Sequence, residues 1–201
     1  MIVNNTGLII LAAGSSKRLG KPKQLLAYEG STLLRHSIKA GLDSEATNIV
    51  VVLGAHAEQI KKEIEAEKVE TVVNTEWEEG IASSIRIGLQ TLINSNSSIT
   101  GVVVMLCDQP YVTAALINNL IECHQLDGKP VIASVYGEVT GVPAYFNAKM
   151  FSKLFELKGD MGARSVIQKH FNEVATVDFP KGSVDIDTEA DYKKMMEVNQ
   201  Q

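Results

Sequence analysis

The residues with the clearest chemical potential lie just after the first apolar run. Gly7 to Leu11 leads into Ala12-Ala13-Gly14-Ser15-Ser16-Lys17-Arg18-Leu19-Gly20-Lys21-Pro22-Lys23. Four cations, Lys17, Arg18, Lys21 and Lys23, fall within seven positions with no acid between them. Small residues let a ligand approach the backbone, and successive N–H groups in such a loop hold anions. In a chain with 19 basic and 24 acidic residues, net charge −5, so dense a positive cluster predicts a local polyanion site. A solvated basic turn is the ordinary fate of a short charge run, but the place directly after an apolar strand favours binding.

Counting excludes two known phosphate loops. Five residues, not four, separate Gly14 from Gly20, and Pro22 rather than Ser or Thr follows Lys21. The G-x-G-x-x-G pattern of dinucleotide-binding dehydrogenases is also absent.

Three other stretches carry candidate chemistry. Asn74-Thr75-Glu76-Trp77-Glu78-Glu79-Gly80-Ile81-Ala82-Ser83-Ser84 opens a helix, whose free N–H groups and serine hydroxyls suit a phosphate or ribose, or equally a plain helix start. Asp108, after the run Gly101 to Leu106, places a carboxylate at a strand end, where it either caps a turn or faces a cleft and a hard cation such as Mg²⁺. Asp185-Ile186-Asp187-Thr188-Glu189-Ala190-Asp191 precedes the last helix; Thr188 or Asp187 suits its cap and leaves Asp185 over.

These residues need a scaffold that gathers them. Apolar, β-branched runs at residues 7–11, 48–53, 69–73, 101–106, 131–136 and 174–179 read as strands. Helical segments are expected near residues 32–42, 57–66, 81–93, 113–124, 148–157, 163–170 and 189–198, and Gly141 to Phe146 reads as a bend feeding a short strand. Strands alternating with helices predict a three-layer α/β/α sandwich, Rossmann-like, around a mostly parallel sheet. In such sheets ligands gather at the carboxyl ends of the strands, where the loops above lie.

Length and composition frame the rest. With 201 residues, 45% hydrophobic and 21% charged, the chain suits one globular domain over residues 1–201. The acidic balance argues against a nucleic-acid partner. No basic leader and no membrane-length apolar run stand out, so no membrane partner and a cytoplasmic location are expected. Cys107 and Cys123 match no metal-ligand spacing and read as free thiols.

The stretch from Leu11 to Leu26 resembles the signature L-A-A-G-x-S-x-R-x-G-x-x-K-x-L-L of nucleotidyltransferases with a glycosyltransferase-A-type (nucleotide-diphospho-sugar transferase) fold. Within these it is similar to the molybdenum cofactor cytidylyltransferases, a MobA-like group. The resemblance extends to Asn-x-x-Trp-x-x-Gly-x-x-x-Ser at residues 74–84, Asp-Gln-Pro at 108–110, Gly-Asp-x-Gly-Ala-Arg at 159–164 and Asp-Ile-Asp-Thr at 185–188. Cys107 and Val142 stand where relatives typically have Gly and His.

The resemblance implies that Leu11, Ala12, Ala13 and Gly14 meet the nucleotide, joined by Asn74, Gly80 and Ser84, while Arg18 and Lys23 hold the triphosphate. It gives Asp108 to Mg²⁺, with Asp185, or less readily Asp187, as second ligand, and Lys23, Arg18 and Asp108 as the catalytic set. Ala13 favours CTP over GTP, because related guanylyltransferases commonly have glycine there. Arg164 is an optional phosphate partner on the acceptor side. The implied reaction moves CMP from CTP to the phosphate of molybdenum-loaded molybdopterin, releases pyrophosphate and serves a client enzyme of the xanthine dehydrogenase type. The alternatives are a guanylyltransferase, a transferase with another phosphate acceptor, and a non-catalytic protein that delivers the finished cofactor.

Overall fold

The computed structural model describes residues 5–198. Its first strand, β1 (Thr6–Ala12), is buried along its whole length and central to the sheet. Leu8, Ile10 and Ala12 point into one apolar cluster and Ile9, Leu11 and Ala13 into the other, the alternation expected of a strand covered on both faces.

A two-residue pair, β2 (Ala27–Tyr28) and β3 (Ser31–Thr32), forms a small hairpin before α1 (Leu33–Leu42). Then follow β4 (Asn48–Leu53), α2 (Ala57–Glu63), β5 (Glu70–Val73), α3 (Ile81–Ser95), β6 (Gly101–Leu106) and α4 (Ala114–Asp127). The chain continues with β7 (Val131–Tyr136), β8 (Val139–Asn147), α5 (Phe151–Phe155), α6 (Ala163–Lys169), β9 (Val174–Asp178) and α7 (Glu189–Val198). Thr32 and Thr113 cap α1 and α4, accepting hydrogen bonds from Arg35 N at 3.4 Å and Leu116 N at 3.2 Å.

The seven strands of the main sheet lie in the order β5-β4-β1-β6-β8-β7-β9. Pairings β5–β4, β4–β1, β1–β6 and β7–β9 are parallel, and β8 alone runs against its neighbours β6 and β7. Apolar side chains of α1, α2 and α4 fill one face of the sheet, and those of α3, α5 and α6 fill the other. This is the mostly parallel three-layer sandwich the sequence predicts. Gly88 brings α3 close to the sheet: a Cβ there would sit 2.8 Å from Val52 and 2.9 Å from Ile9.

The reversed strand is the main feature beyond the sequence reading. The stretch read as a bend and a short strand is a nine-residue strand in the interior of the sheet. A register shift between Ala133 and Ser134 accommodates Pro143, which has no N–H for the ladder, and Ser134 Oγ donates to Pro143 O at 2.6 Å.

A third cluster joins the hairpin to α7 through Leu26, Tyr28, Leu33, Ile186 and Met195. Ile186 is fully buried and its N–H donates to Asp108 O at 3.2 Å, so the segment before α7 is pinned to the end of β6. No described helix is long and apolar enough to cross a membrane.

Candidate active site

The loops after β1 and β6 meet the opening of α3 around a cleft of about 440 Å³ at the carboxyl ends of the strands. Leu11 to Ser15, Lys17 and Lys23 line it from the first loop, Gly80 and Ser84 from α3, and Cys107 and Asp108 from the end of β6. None of the backbone N–H groups from Gly14 to Arg18 has a backbone acceptor among the described residues, the condition for an anion cradle.

At the floor the Lys23 ammonium donates to Asp108 Oδ2 at 2.5 Å and to Asp187 Oδ1 at 2.8 Å. Arg18 reaches the other oxygen of Asp187 at 2.6 Å and is otherwise mostly exposed. Burial works against the charge on Lys23, but Asp108 and then Asp187 outweigh it and raise its pKa above the usual lysine range. Burial alone would raise the pKa of Asp187, yet the hydrogen bond and charge of Lys23, with Arg18, hold it below the usual carboxylate range.

Asp187 is available for this because Thr188 and Asp191 take over the start of α7. Asp191 Oδ2 accepts from Thr188 N at 2.8 Å and Thr188 Oγ1 at 2.7 Å, and Thr188 Oγ1 accepts from Asp191 N at 3.2 Å. Of the two caps the sequence offers, Thr188 serves and Asp187 turns to the basic loop. Arg18 and Asp187 stand beyond the cleft wall and reach it through Lys23, and Asp185, on the other side of the Ile186 anchor, borders a neighbouring hollow with Tyr111 and Lys181. Desolvation first, then the charges of Asp108 and Asp187, push its carboxyl up to about 6.

The Asn74 segment folds as a support. Asn74 is buried and absent from the cleft wall; its Nδ2 donates to Ser83 Oγ at 2.8 Å and Ser84 Oγ at 3.0 Å, and its Oδ1 accepts from Glu76 N at 2.9 Å. It reaches the cleft through Ser84. Gly80 has φ +120°, and a Cβ there would collide with the backbone of Gly159, whose carbonyl accepts from Ala82 N at 3.1 Å. The Gly159 to Arg164 loop therefore lies over the start of α3, and its Asp160 joins the cleft wall while Arg164 stays outside it.

The residues present suit a divalent cation. Asp108 Oδ1 is buried with no hydrogen-bond partner, the donors are hard oxygens, and two further carboxylates stand close by. No group of three or more His, Cys, Asp or Glu among the described residues forms a ready metal cluster. A small protein ligand set completed by phosphate oxygens matches the habit of Mg²⁺.

Several wall residues escape the sequence reading. Asp160 sits in the Gly159 to Arg164 loop, and an acid between Gly159 and Gly162 is the signal that marks it. Trp77, named only within the 74–84 motif, lines the cleft. Gln24, a variable position in the signature, is 1% exposed and donates from Nε2 to Ala12 O at 2.8 Å and Gly14 O at 3.0 Å.

One cleft of a mostly parallel α/β sandwich thus brings together a basic, glycine-containing loop after the first strand and an aspartate after a central one. The chain belongs to the MobA-like NTP transferase domain family, whose pattern matches residues 8–174. It is 34% identical over 118 residues to nicotine blue oxidoreductase of Paenarthrobacter nicotinovorans, covering 58% of this chain and 56% of that one. The chain thus spans little more than half the length of that relative. It is 28% identical over 199 residues to purine catabolism protein PucB of Bacillus subtilis strain 168, covering 92% of each. Its fold is similar to that of Rv0371c from Mycobacterium tuberculosis H37Rv, with a TM-score of 0.84, 28% identity and coverage of 96% and 98%. Rv0371c has also been solved in complex with manganese, in a structure that matches at TM-score 0.79 and 26% identity, again covering 96% and 98%.

Proposed function

We propose that this chain is a single-domain nucleotidyltransferase that transfers CMP from CTP to the terminal phosphate of a molybdenum-bearing molybdopterin, releasing pyrophosphate. The observation that carries the reading is Lys23, which stands at the floor of one cleft between Asp108 and the basic loop. Leu11 to Gly14, Gly80 and Ser84 would seat the nucleoside, and Lys23, Arg18 and the free N–H groups from Ser15 to Arg18 the triphosphate. Asp108, with Asp187 or Asp185, would hold Mg²⁺ or Mn²⁺, which when bound supplies charge neutralisation at the phosphates.

An oxygen of the acceptor phosphate attacks the α-phosphorus in line; the bond from that phosphorus to the bridging oxygen breaks, and pyrophosphate leaves with the electron pair. A phosphate monoester is already ionised, so no general base is required. The protein contributes position and charge: Lys23 and Arg18 face the negative charge that grows on the leaving group. Ala13, where a guanylyltransferase would commonly carry glycine, supports CTP. The product would be the cytosine dinucleotide cofactor used by an enzyme of the xanthine dehydrogenase type.

The relative named nicotine blue oxidoreductase favours a second reading, a redox enzyme. One assay separates the two. Pyrophosphate release is measured with each of the four nucleoside triphosphates, with and without Mg²⁺ or metal-loaded molybdopterin, beside oxidation or reduction of nicotine blue. Release that needs CTP, metal and the pterin supports the proposal. Release with GTP alone points to a guanylyltransferase, turnover of nicotine blue without release to a redox enzyme, and tight binding of finished cofactor without turnover to a delivery protein.

A further inference from the structure

Gln24 is a buried polar side chain that the proposed reaction does not use. Its Nε2 donates to Ala12 O and Gly14 O, and the carbonyl between them, Ala13 O, accepts from Ala55 N at 3.0 Å. The carbonyls of Ala12, Ala13 and Gly14 are thus all engaged inside the protein. The N–H of Gly14, beside them, has no backbone acceptor among the described residues. Where the base would lie the loop is left with a donor to offer, while each of those carbonyls has one lone pair already committed.

The cost of the arrangement argues against simple space filling. Gln24 is 1% exposed and its Oε1 is buried without a hydrogen-bond partner. A Leu or Met would fill the same space without a buried Oε1, but would take the donor away from the carbonyls of Ala12 and Gly14. What the amide adds is two N–H donors at the back of the loop. Cytosine's pairing edge carries two acceptors, O2 and N3, beside one amino group, so donors read most of it. Guanine's carries N1–H and an amino group beside one acceptor, O6, and calls mainly for carbonyls.

We propose that Gln24 is a positioning residue for base selection: by holding the carbonyls of Ala12 and Gly14 inside the protein, it makes the loop read a base through donors and so favours cytosine over guanine. The inference rests on the reading of the cleft as a nucleoside triphosphate site.

Calorimetric titration of the full chain with CTP and with GTP, each with Mg²⁺, tests it in the wild type and in Gln24→Met, which keeps the volume and removes the donors. The wild type should bind CTP more tightly. In the variant the ratio of CTP to GTP affinity should fall about tenfold, the effect of roughly one net hydrogen bond, mainly through CTP. A purely structural role would weaken both nucleotides together, and an unchanged ratio overturns the proposal while leaving the nucleotide site standing. A wild type that binds GTP as well as CTP also overturns it, and one that binds neither removes the underlying reading as well. If Gln24→Met does not fold, NMR of the wild type decides: the Gln24 side-chain amide protons should stay protected from exchange in the CTP complex, and their exposure there rejects the proposal.

Discussion

The Lys23 ammonium donates to Asp108 Oδ2 at 2.5 Å and so closes the loop after β1 onto the end of β6, 85 positions later in the chain. With both side chains mostly buried and Asp187 on the same ammonium, Lys23 is the internal counter-ion of the acidic floor. A divalent cation that engages those carboxylates competes with it. Lys23→Met should lower turnover at least about 100-fold, the loss typical of one preorganised charge donor. Without nucleotide, it should also let Mn²⁺ raise the melting temperature more than in the wild type. An equal or smaller shift would show that the carboxylates do not serve the metal.

Asp185 supplies a pH test. Desolvation and the neighbouring charges of Asp108 and Asp187 push its folded pKa up to about 6, above an unfolded value near the ordinary 3.8. The folded state therefore binds this proton more tightly, and the stability it contributes is present at low pH and lost as pH rises from about 4 through 6. Asp185→Asn should melt higher than the wild type at pH 8 and alike at pH 4. A variant that melts lower at pH 8 would show that the carboxylate is held by a favourable partner.

The support behind Ser84 has a measurable worth. Asn74→Ala removes the donors to both serine hydroxyls and the acceptor for Glu76 N. Chemical denaturation should show a loss of about 1–3 kcal/mol, the cost of leaving buried polar groups unpaired. A change below about 0.5 kcal/mol would mean that the turn holds itself without the side chain.

Cys107 is 3% exposed, and burial, with Asp108 next, pushes its thiol up to about 12. Cys123 is partly exposed. Brief alkylation of the native protein at pH 8 should label Cys123 and spare Cys107, with both reacting after denaturation. Fast labelling of Cys107 in the native state would mean that the floor of the cleft opens.

The frame was legible because its signals are local: fully apolar β-branched runs such as Asn48 to Leu53 and Gly101 to Leu106 can only be buried strands between helices. Thr32 and Thr113 likewise mark helix starts by residue type. β8 looks short in the sequence because Gly141 and Pro143 argue for a bend, and the register shift in β7 is what lets Pro143 sit inside a sheet. The hairpin of β2 and β3 is too short to leave a period. In the site, a cationic loop after an apolar strand and an aspartate at a strand end are readable from type and place. The pairing of Lys23 with Asp187 is not, since it depends on Thr188 and Asp191 taking the cap and on Ile186 anchoring the segment. Gln24 was invisible for a similar reason: what it holds is backbone, and backbone acceptors carry no sequence signal.

The most direct test of the account is a crystal structure of the wild-type chain with CTP and Mg²⁺. Cytosine should lie against Ala12 to Gly14, with the triphosphate along Ser15 to Arg18 and Lys23 and the cation on Asp108. CTP bound elsewhere, or a triphosphate remote from both Lys23 and Asp108, would contradict the account.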